Sequence, residues 1–267
     1  DPNRTKMVIL SAVWLMLFGQ CLCMTIETNV RSQTDYLNMC MDNTKASPSP
    51  EPGLEGSMCP TFANRSCCKP GPLLELLRNY TLSYAHCPQK KSLGATCYEK
   101  FIEEGCFFTC SPDLGPWINR EHPNFGEKNS LRRLPICQST CERWYNACQK
   151  EYTCSNDWFL GLNISTQDGQ MKCLDESKCD KYDKHFDSAN SFCEQIWDDA
   201  YKVVSDDEPC MQFTYDTSGA ERNKAVAEAR AKELASTDGS SAGSPNNSVS
   251  LMLTSLVAYS VVFVLTV

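Results

Sequence analysis

Histidine is scarce in this chain, with 3 among 267 residues, and the motifs that would put an imidazole or a hydroxyl to work are missing. No G-x-S-x-G, H-E-x-x-H or Gly-rich phosphate loop occurs, so nucleophilic hydrolysis, zinc proteolysis and nucleotide chemistry have no signature here. Carboxylates are plentiful, yet none falls in a motif that singles out an acid–base pair. C-x-x-C spacing is also absent, which removes the usual mark of structural zinc. There is no basic stripe either, and 25 Lys and Arg against 33 Asp and Glu leave a formal charge of -8. A chain with nothing to displace phosphate counterions is not expected to hold nucleic acid. These absences point to a binding protein without catalysis, metal or organic cofactor.

Long apolar runs are confined to the two ends. Met7 to Gly19 follows Arg4 and Lys6 and leads to Gln20–Cys23, the pattern of a secretory signal peptide over residues 1–23. Leu251 to Val267 is apolar with no charge after it, behind a polar spacer (244–250) and the small cluster Ser240, Ser241, Ala242, Gly243. Cluster, spacer and tail are the three parts of a GPI-attachment signal, with Ser241 as the attachment residue and 242–267 removed. A tail-anchored helix is the alternative. The expected location is the extracellular face of the plasma membrane, with the membrane held through the anchor.

What the chain has in excess is cysteine, 18 in all. Cys21 and Cys23 would leave with the signal, so 18 - 2 = 16 remain, enough for eight bridges in an oxidising compartment. Each bridge contributes ~2–4 kcal/mol by restricting the unfolded chain. Cys67 and Cys68 are adjacent and should tie to two different segments, because neighbours rarely meet disulfide geometry with each other. Sequons at Asn64, Asn79 and Asn163 would carry glycans on exposed turns; the one at Asn246 follows the attachment site.

Residues 24–216 read as one domain around the cysteine core 40–210. Apolar positions recur at helical spacing at Cys137, Cys141, Trp144, Tyr145 and Cys148, and at Cys193, Ile196, Trp197, Ala200 and Tyr201. Tyr98, Phe101 and Ile102 lead to Cys106 and Cys110 in the same way, and Leu73 to Leu77 starts a helix after Pro72. Loops are expected at Ser47–Gly53, Ser111–Pro116 and Glu121–Ser130. The fold class is α+β and disulfide-rich, with several helices, short strands and long loops. Residues 217–241 form a stalk, since Glu221 to Ala235 is rich in helix formers with Glu and Lys spaced for surface pairs. Tyr80, Tyr84, Phe107, Phe108, Trp117, Trp144, Trp158 and Trp197 suit either a core or a pocket that stacks a flat ring.

Three segments carry a family resemblance. Cys106–Ile118 (CFFTCSPDLGPWI), Leu134–Trp158 (LPICQSTCERWYNACQKEYTCSNDW) and Cys193–Val203 (CEQIWDDAYKV), closing on CMQF at Cys210, resemble the folate receptor family, and Lys45–Pro52 is closer to its riboflavin-binding branch. The order and approximate spacing of all the mature cysteines fit over Cys40 to Phe213. The resemblance implies the pairs Cys40–Cys67, Cys59–Cys106, Cys68–Cys110, Cys87–Cys179, Cys97–Cys148, Cys137–Cys210, Cys141–Cys193 and Cys154–Cys173. It also implies a cleft in which Glu104 takes the acidic role toward a pterin amino group, with Tyr80, Phe108, Trp158 and Trp197 as the aromatic set.

The chain departs from the family where the cleft wall should be. Trp158 is followed by Phe159, Leu160, Gly161, Leu162, Asn163 and Ile164, where the receptors have W-H-K-G-W-x-W. Ala200 stands where a hydrogen-bonding Ser is expected, and Lys128, Arg132 and Arg133 are out of register with the receptors' W-R-x-x-R. Lost stacking at ~0.5–1.5 kcal/mol per ring and lost charge-assisted hydrogen bonds at ~1.5–3 each exceed about 4 kcal/mol, roughly a thousandfold in affinity. The resemblance implies a GPI-anchored receptor for a folate-like or flavin-like small molecule, with weakened folate affinity. The alternative it implies is a Juno-like adhesion or gamete-recognition receptor that binds a protein partner on an apposed cell.

Overall fold

The computed structural model describes residues 31–41, 45–119, 130–164 and 170–242. The signal segment, the tail beyond Ala242, Asn246 and Lys128 with most of the Glu121–Ser130 loop lie outside the described residues. Arg31–Thr237 forms one compact unit.

In chain order its regular elements begin with helices α1 (Gln33–Leu37), α2 (Pro72–Ser83) and α3 (Ala95–Cys110), then strands β1 (Ile118–Asn119), β2 (Ser130–Leu131) and β3 (Leu134–Cys137). Helix α4 (Gln138–Cys148), β4 (Tyr152–Thr153), α5 (Trp158–Gly161), β5 (Leu162–Ile164) and β6 (Met171–Cys173) follow. The remainder is β7 (Asp180–Lys181), α6 (Tyr182–His185), α7 (Ala189–Gln195), β8 (Tyr201–Val204) and α8 (Thr217–Ala242).

Helix α3 is the centre of the packing. Cys97, Phe101, Glu104 and a run from Gly105 to Phe107 are buried along it, wider than a single amphipathic stripe, because α2 and α4 both pack on it. Gly105 makes the first contact possible: a Cβ there would overlap Leu77 of α2. Helix α2 starts with Pro72 in its first turn, preceded by Gly71 at φ 131°, a conformation that side chains resist.

Strands are short and come in pairs. β3 and β8 run parallel with Leu134 opposite Tyr201 and Ile136 opposite Val203, while β1–β2, β4–β7 and β5–β6 are antiparallel. Two-stranded sheets of this size have little stability of their own. Covalent staples take over that task. The bridges join Cys40 to Cys67, Cys59 to Cys106, Cys68 to Cys110, Cys87 to Cys179, Cys97 to Cys148, Cys137 to Cys210, Cys141 to Cys193 and Cys154 to Cys173. Cys67 and Cys68 thus hold different segments, and the buried Ser66 hydroxyl sits between them. It accepts from the Cys68 N–H at 3.1 Å and lies 3.3 Å from Cys68 Sγ, while the Cys67 N–H donates to the Cys110 carbonyl at 2.9 Å.

Three expectations need correction. The stripe from Cys193 to Tyr201 is not one helix: α7 ends at Gln195, Asp198 and Asp199 take φ of 48° and 60°, and Tyr201 opens β8. Aspartate tolerates the left-handed region better than most residues, and the alternating Tyr-Lys-Val-Val suits a strand as well as a helix start. Nor is the segment after Thr217 a solvated stalk. Asn223, Val226, Ala227 and Ala231 of α8 are buried, and the Asn223 amide both accepts from the Gln212 N–H and donates to its carbonyl, each at 2.9 Å. Small residues at 223, 227 and 231 make a packing stripe that mean hydropathy hides, while Lys224–Glu228 and Arg230–Glu233 pair on the outer face. Finally, Asn64 lies on an exposed turn and Asn163 is exposed on β5, but Asn79 is half-buried within α2.

Placing a carboxylate in the α8 contact, as in Ala231→Glu, is expected to destabilise the full chain by about 2–4 kcal/mol, lowering its melting temperature by roughly 5 °C or more. Lys232→Glu, on the exposed side of the same turn, should leave the melting temperature within about 1 °C.

Candidate functional site

Helix α3 carries Glu104 inward, and its 4% exposure leaves almost no contact with water. Tyr201, the first residue of β8, donates its hydroxyl to Glu104 Oε1 at 2.5 Å. Desolvation pushes the Glu104 carboxyl up to about 7, and the Tyr201 hydrogen bond pulls the other way without offsetting it. Tyr84, fully buried just past α2, is itself raised by burial first and by the Glu104 charge second. The carboxyl is therefore enclosed by phenols, with no buried cation paired to it among the described residues.

Beside it the aromatic rings form a continuous cluster. Trp158 stacks on Phe101 with centroids 5.5 Å apart and planes 16° off parallel, and meets Tyr84 at 4.9 Å and Trp197 at 5.1 Å. Its indole N–H donates to Thr153 Oγ1 at 3.0 Å, and that hydroxyl donates on to the Ser155 carbonyl. His86 Nε2 lies 3.1 Å from the same oxygen, and burial pulls the imidazole down to about 4. Trp197 bridges outward to Phe159 at 5.5 Å. Its indole N–H is buried without a hydrogen-bond partner among the described residues.

The five residues expected to contact a ligand and the three altered positions Phe159, Leu162 and Ala200, expected to line the same cleft, separate into two sets. Glu104, Trp158, Leu162 and Ala200 are buried; Tyr80, Phe108, Phe159 and Trp197 are half-buried on the outer side of the core. Trp158 departs from its expected stacking role: it has no exposed surface, and Phe101, Tyr84 and Trp197 already cover it. It is a wall behind the cluster. Phe108 lies one turn beyond Glu104 on α3, and Tyr80 lies near the C-terminal end of α2, packed against the core. Tyr201 and Thr153 carry no site signal in the sequence. Tyr201 follows Ala200 directly, and strand alternation through β8 is the signal that turns it inward. Two cavities, of about 740 and 320 Å³, indent the surface, and neither is lined by these eight residues.

Among the described residues, every cluster with metal-ligand spacing relies on cysteine sulfur. The cysteine sulfurs that approach His86 or Asp206 all belong to disulfides, and a disulfide sulfur is a poor ligand beside a thiolate.

Residues 39–212 match the Folate receptor family. The chain belongs to this family. It is 30% identical to human folate receptor gamma over 230 residues, covering 83% of this chain and 89% of that protein. It is 31% identical to bovine folate receptor alpha over 206 residues, 74% and 83% of the two chains, and 28% identical to chicken riboflavin-binding protein over 201 residues, 71% and 77%. Membership in this family makes the chain a non-enzymatic binding protein and accounts for a disulfide-rich fold with many helices. No helix among the described residues is long and apolar enough to cross a membrane.

Glu104 gives the family fold here a pH signature. Between its ordinary value of 4.5 and about 7, the unfolded chain has lost this proton while the native state keeps it. Stability therefore falls as pH rises through that window, by up to about 3 kcal/mol. Glu104→Gln removes the titration. The melting temperature of the variant minus that of the wild type is expected to rise between pH 5 and pH 8, and a constant difference would place the carboxyl in water.

Proposed function

We propose that the protein is a GPI-anchored cell-surface receptor that takes a flat heteroaromatic ring of the folate, pterin or flavin class, with folate held weakly. The observation that carries this reading is a buried Glu104, its carboxyl raised to about 7, in the same aromatic region as a buried Trp197 indole N–H that lacks a partner among the described residues. A neutral carboxyl can donate as well as accept, and an unsatisfied buried donor gains when a ligand carbonyl or ring nitrogen meets it. Half-exposed Trp197 and Phe159 supply the stacking surface. The names of the similar proteins, two folate receptors and a riboflavin-binding protein, support the ligand class. Phe159, Leu160 and Leu162, in place of the family's charged and tryptophan-rich wall, support the weak folate term.

Folic acid and riboflavin titrated into the purified full chain are expected to quench tryptophan emission, and Trp197→Ala should lose at least about tenfold in affinity. Absence of quenching by either vitamin at about 500 µM would sink the proposal. Attachment at Ser241 predicts that a phosphatidylinositol-specific phospholipase releases the protein from cells, and that Ser240→Lys with Ser241→Lys prevents surface display.

A second reading, adhesion to a protein on an apposed cell with gamete recognition as one form of it, has its own observation. Leu160 and Leu174 are 64% and 66% exposed, and the Leu174 N–H donates to the Gly161 carbonyl at 3.0 Å, which ties together the two segments that carry these leucines. Exposed leucines suit a protein contact. Leu160→Glu with Leu174→Glu should abolish such adhesion while leaving vitamin quenching intact.

A further inference from the structure

On another part of the domain, α8, Pro209 and the stretches 116–118 and 132–135 line the larger of these two cavities, an open groove of about 740 Å³. Its floor is apolar, built from Trp117, Pro135, Val226 and Ala229. Three arginines, Arg132, Arg133 and Arg230, stand around it, against one lining carboxylate, Glu233. In a chain of formal charge -8 this is a local reversal of sign.

The arginines are not equivalent. Arg133 pairs with Asp199 at 2.9 Å, and Arg230 pairs with Glu233 at 2.7 Å. The Arg132 side chain is exposed and has no hydrogen bond or ion pair among the described residues. Its backbone N–H is occupied by the Trp117 carbonyl at 3.1 Å, and that of Arg133 by the Asp199 carbonyl at 2.8 Å. The lining prolines offer no N–H at all. The groove thus presents guanidinium donors at its edge and hydrocarbon at its base, with no backbone donor from Arg132 or Arg133 to extend a sheet.

We propose that this groove docks an acidic peptide segment of a partner protein, with apolar side chains seated on Trp117 and Val226 and carboxylates on Arg132 and Arg230. Planar guanidinium groups match carboxylates in two-point geometry. A volume of about 740 Å³ accommodates a short peptide segment. This assignment is independent of the ring-binding proposal, since none of the groove residues belongs to the Glu104 cluster.

The test uses the full chain, extracted in detergent from a secretory host, and a fluorescein-labelled octapeptide in which Asp and Leu alternate. Its anisotropy is expected to rise on addition of protein, and the affinity should fall steeply with salt. Arg132→Glu with Arg230→Glu should weaken binding by at least about tenfold, while Arg143→Glu, on the exposed face of α4, should leave it unchanged. Ala229→Trp, which fills the floor and keeps every charge, should weaken it as well. Melting temperatures of all variants separate lost binding from lost folding. Equal binding of the matched Asn and Leu peptide, no binding up to about 1 mM, or competition by inorganic phosphate as effective as that by unlabelled peptide would each overturn the proposal. Unchanged vitamin quenching in the arginine variants would show that the two sites are separate.

Discussion

Helix α3 carries three half-cystines, at Cys97, Cys106 and Cys110, and each leads to a different part of the chain. That triple attachment is the constraint on which the architecture turns. The described sheets have two strands each, too small to organise a domain of this size. With α3 fixed at three points, α2 packs on one side through the Gly105 gap and α4 on the other through Cys97–Cys148. The bridge from Cys141 to Cys193 then brings α7 to the same layer, and α7 delivers Trp197. Glu104 is buried because it lies between two anchored cysteines on a helix that has no freedom to rotate its carboxyl into water.

Burial of that carboxyl has an energetic cost, which the surroundings reduce without removing it. Tyr201 supplies one short hydrogen bond, and no cation pairs with the carboxyl among the described residues. A buried group in this state is kept neutral over most of the acid range and is ready to exchange hydrogen bonds. The neighbouring rings are held by ordinary core packing: Trp158 against Phe101, and its N–H on Thr153. The inner wall is closed by its own contacts, while Trp197 and Phe159 lie half-buried nearer the surface.

Much of this was legible in the sequence, for reasons that differ by element. Cysteine order is a discrete code that survives large changes elsewhere, so the family and the disulfide framework were within reach. Helices α2, α3 and α4 have strong start signals or apolar periods. The end of α7 was hidden because Ile196, Trp197, Ala200 and Tyr201 fit a helical period by coincidence, and only the left-handed Asp198 and Asp199 break it. The docking of α8 is hidden because alanine carries little hydropathy, although the buried Ala227 and Ala231, with Val226 and the Asn223 clamp, make a tight interface. Trp158 was read as a ligand ring because sequence pattern distinguishes buried from exposed aromatics poorly. Nothing in the sequence marks which face of an aromatic is already occupied.

The adjacent Cys67 and Cys68 raise a problem of fidelity. Exchanging their partners would shift the chain by a single residue and still close both loops, so the wrong isomer is a near neighbour of the right one. Discrimination rests on small groups: the Ser66 hydroxyl at the Cys68 N–H, and the Cys67 N–H at the Cys110 carbonyl. Two neutral hydrogen bonds at ~1 kcal/mol each favour the correct isomer roughly thirtyfold. Such a margin acts on the choice of partner only while the thiols can still exchange.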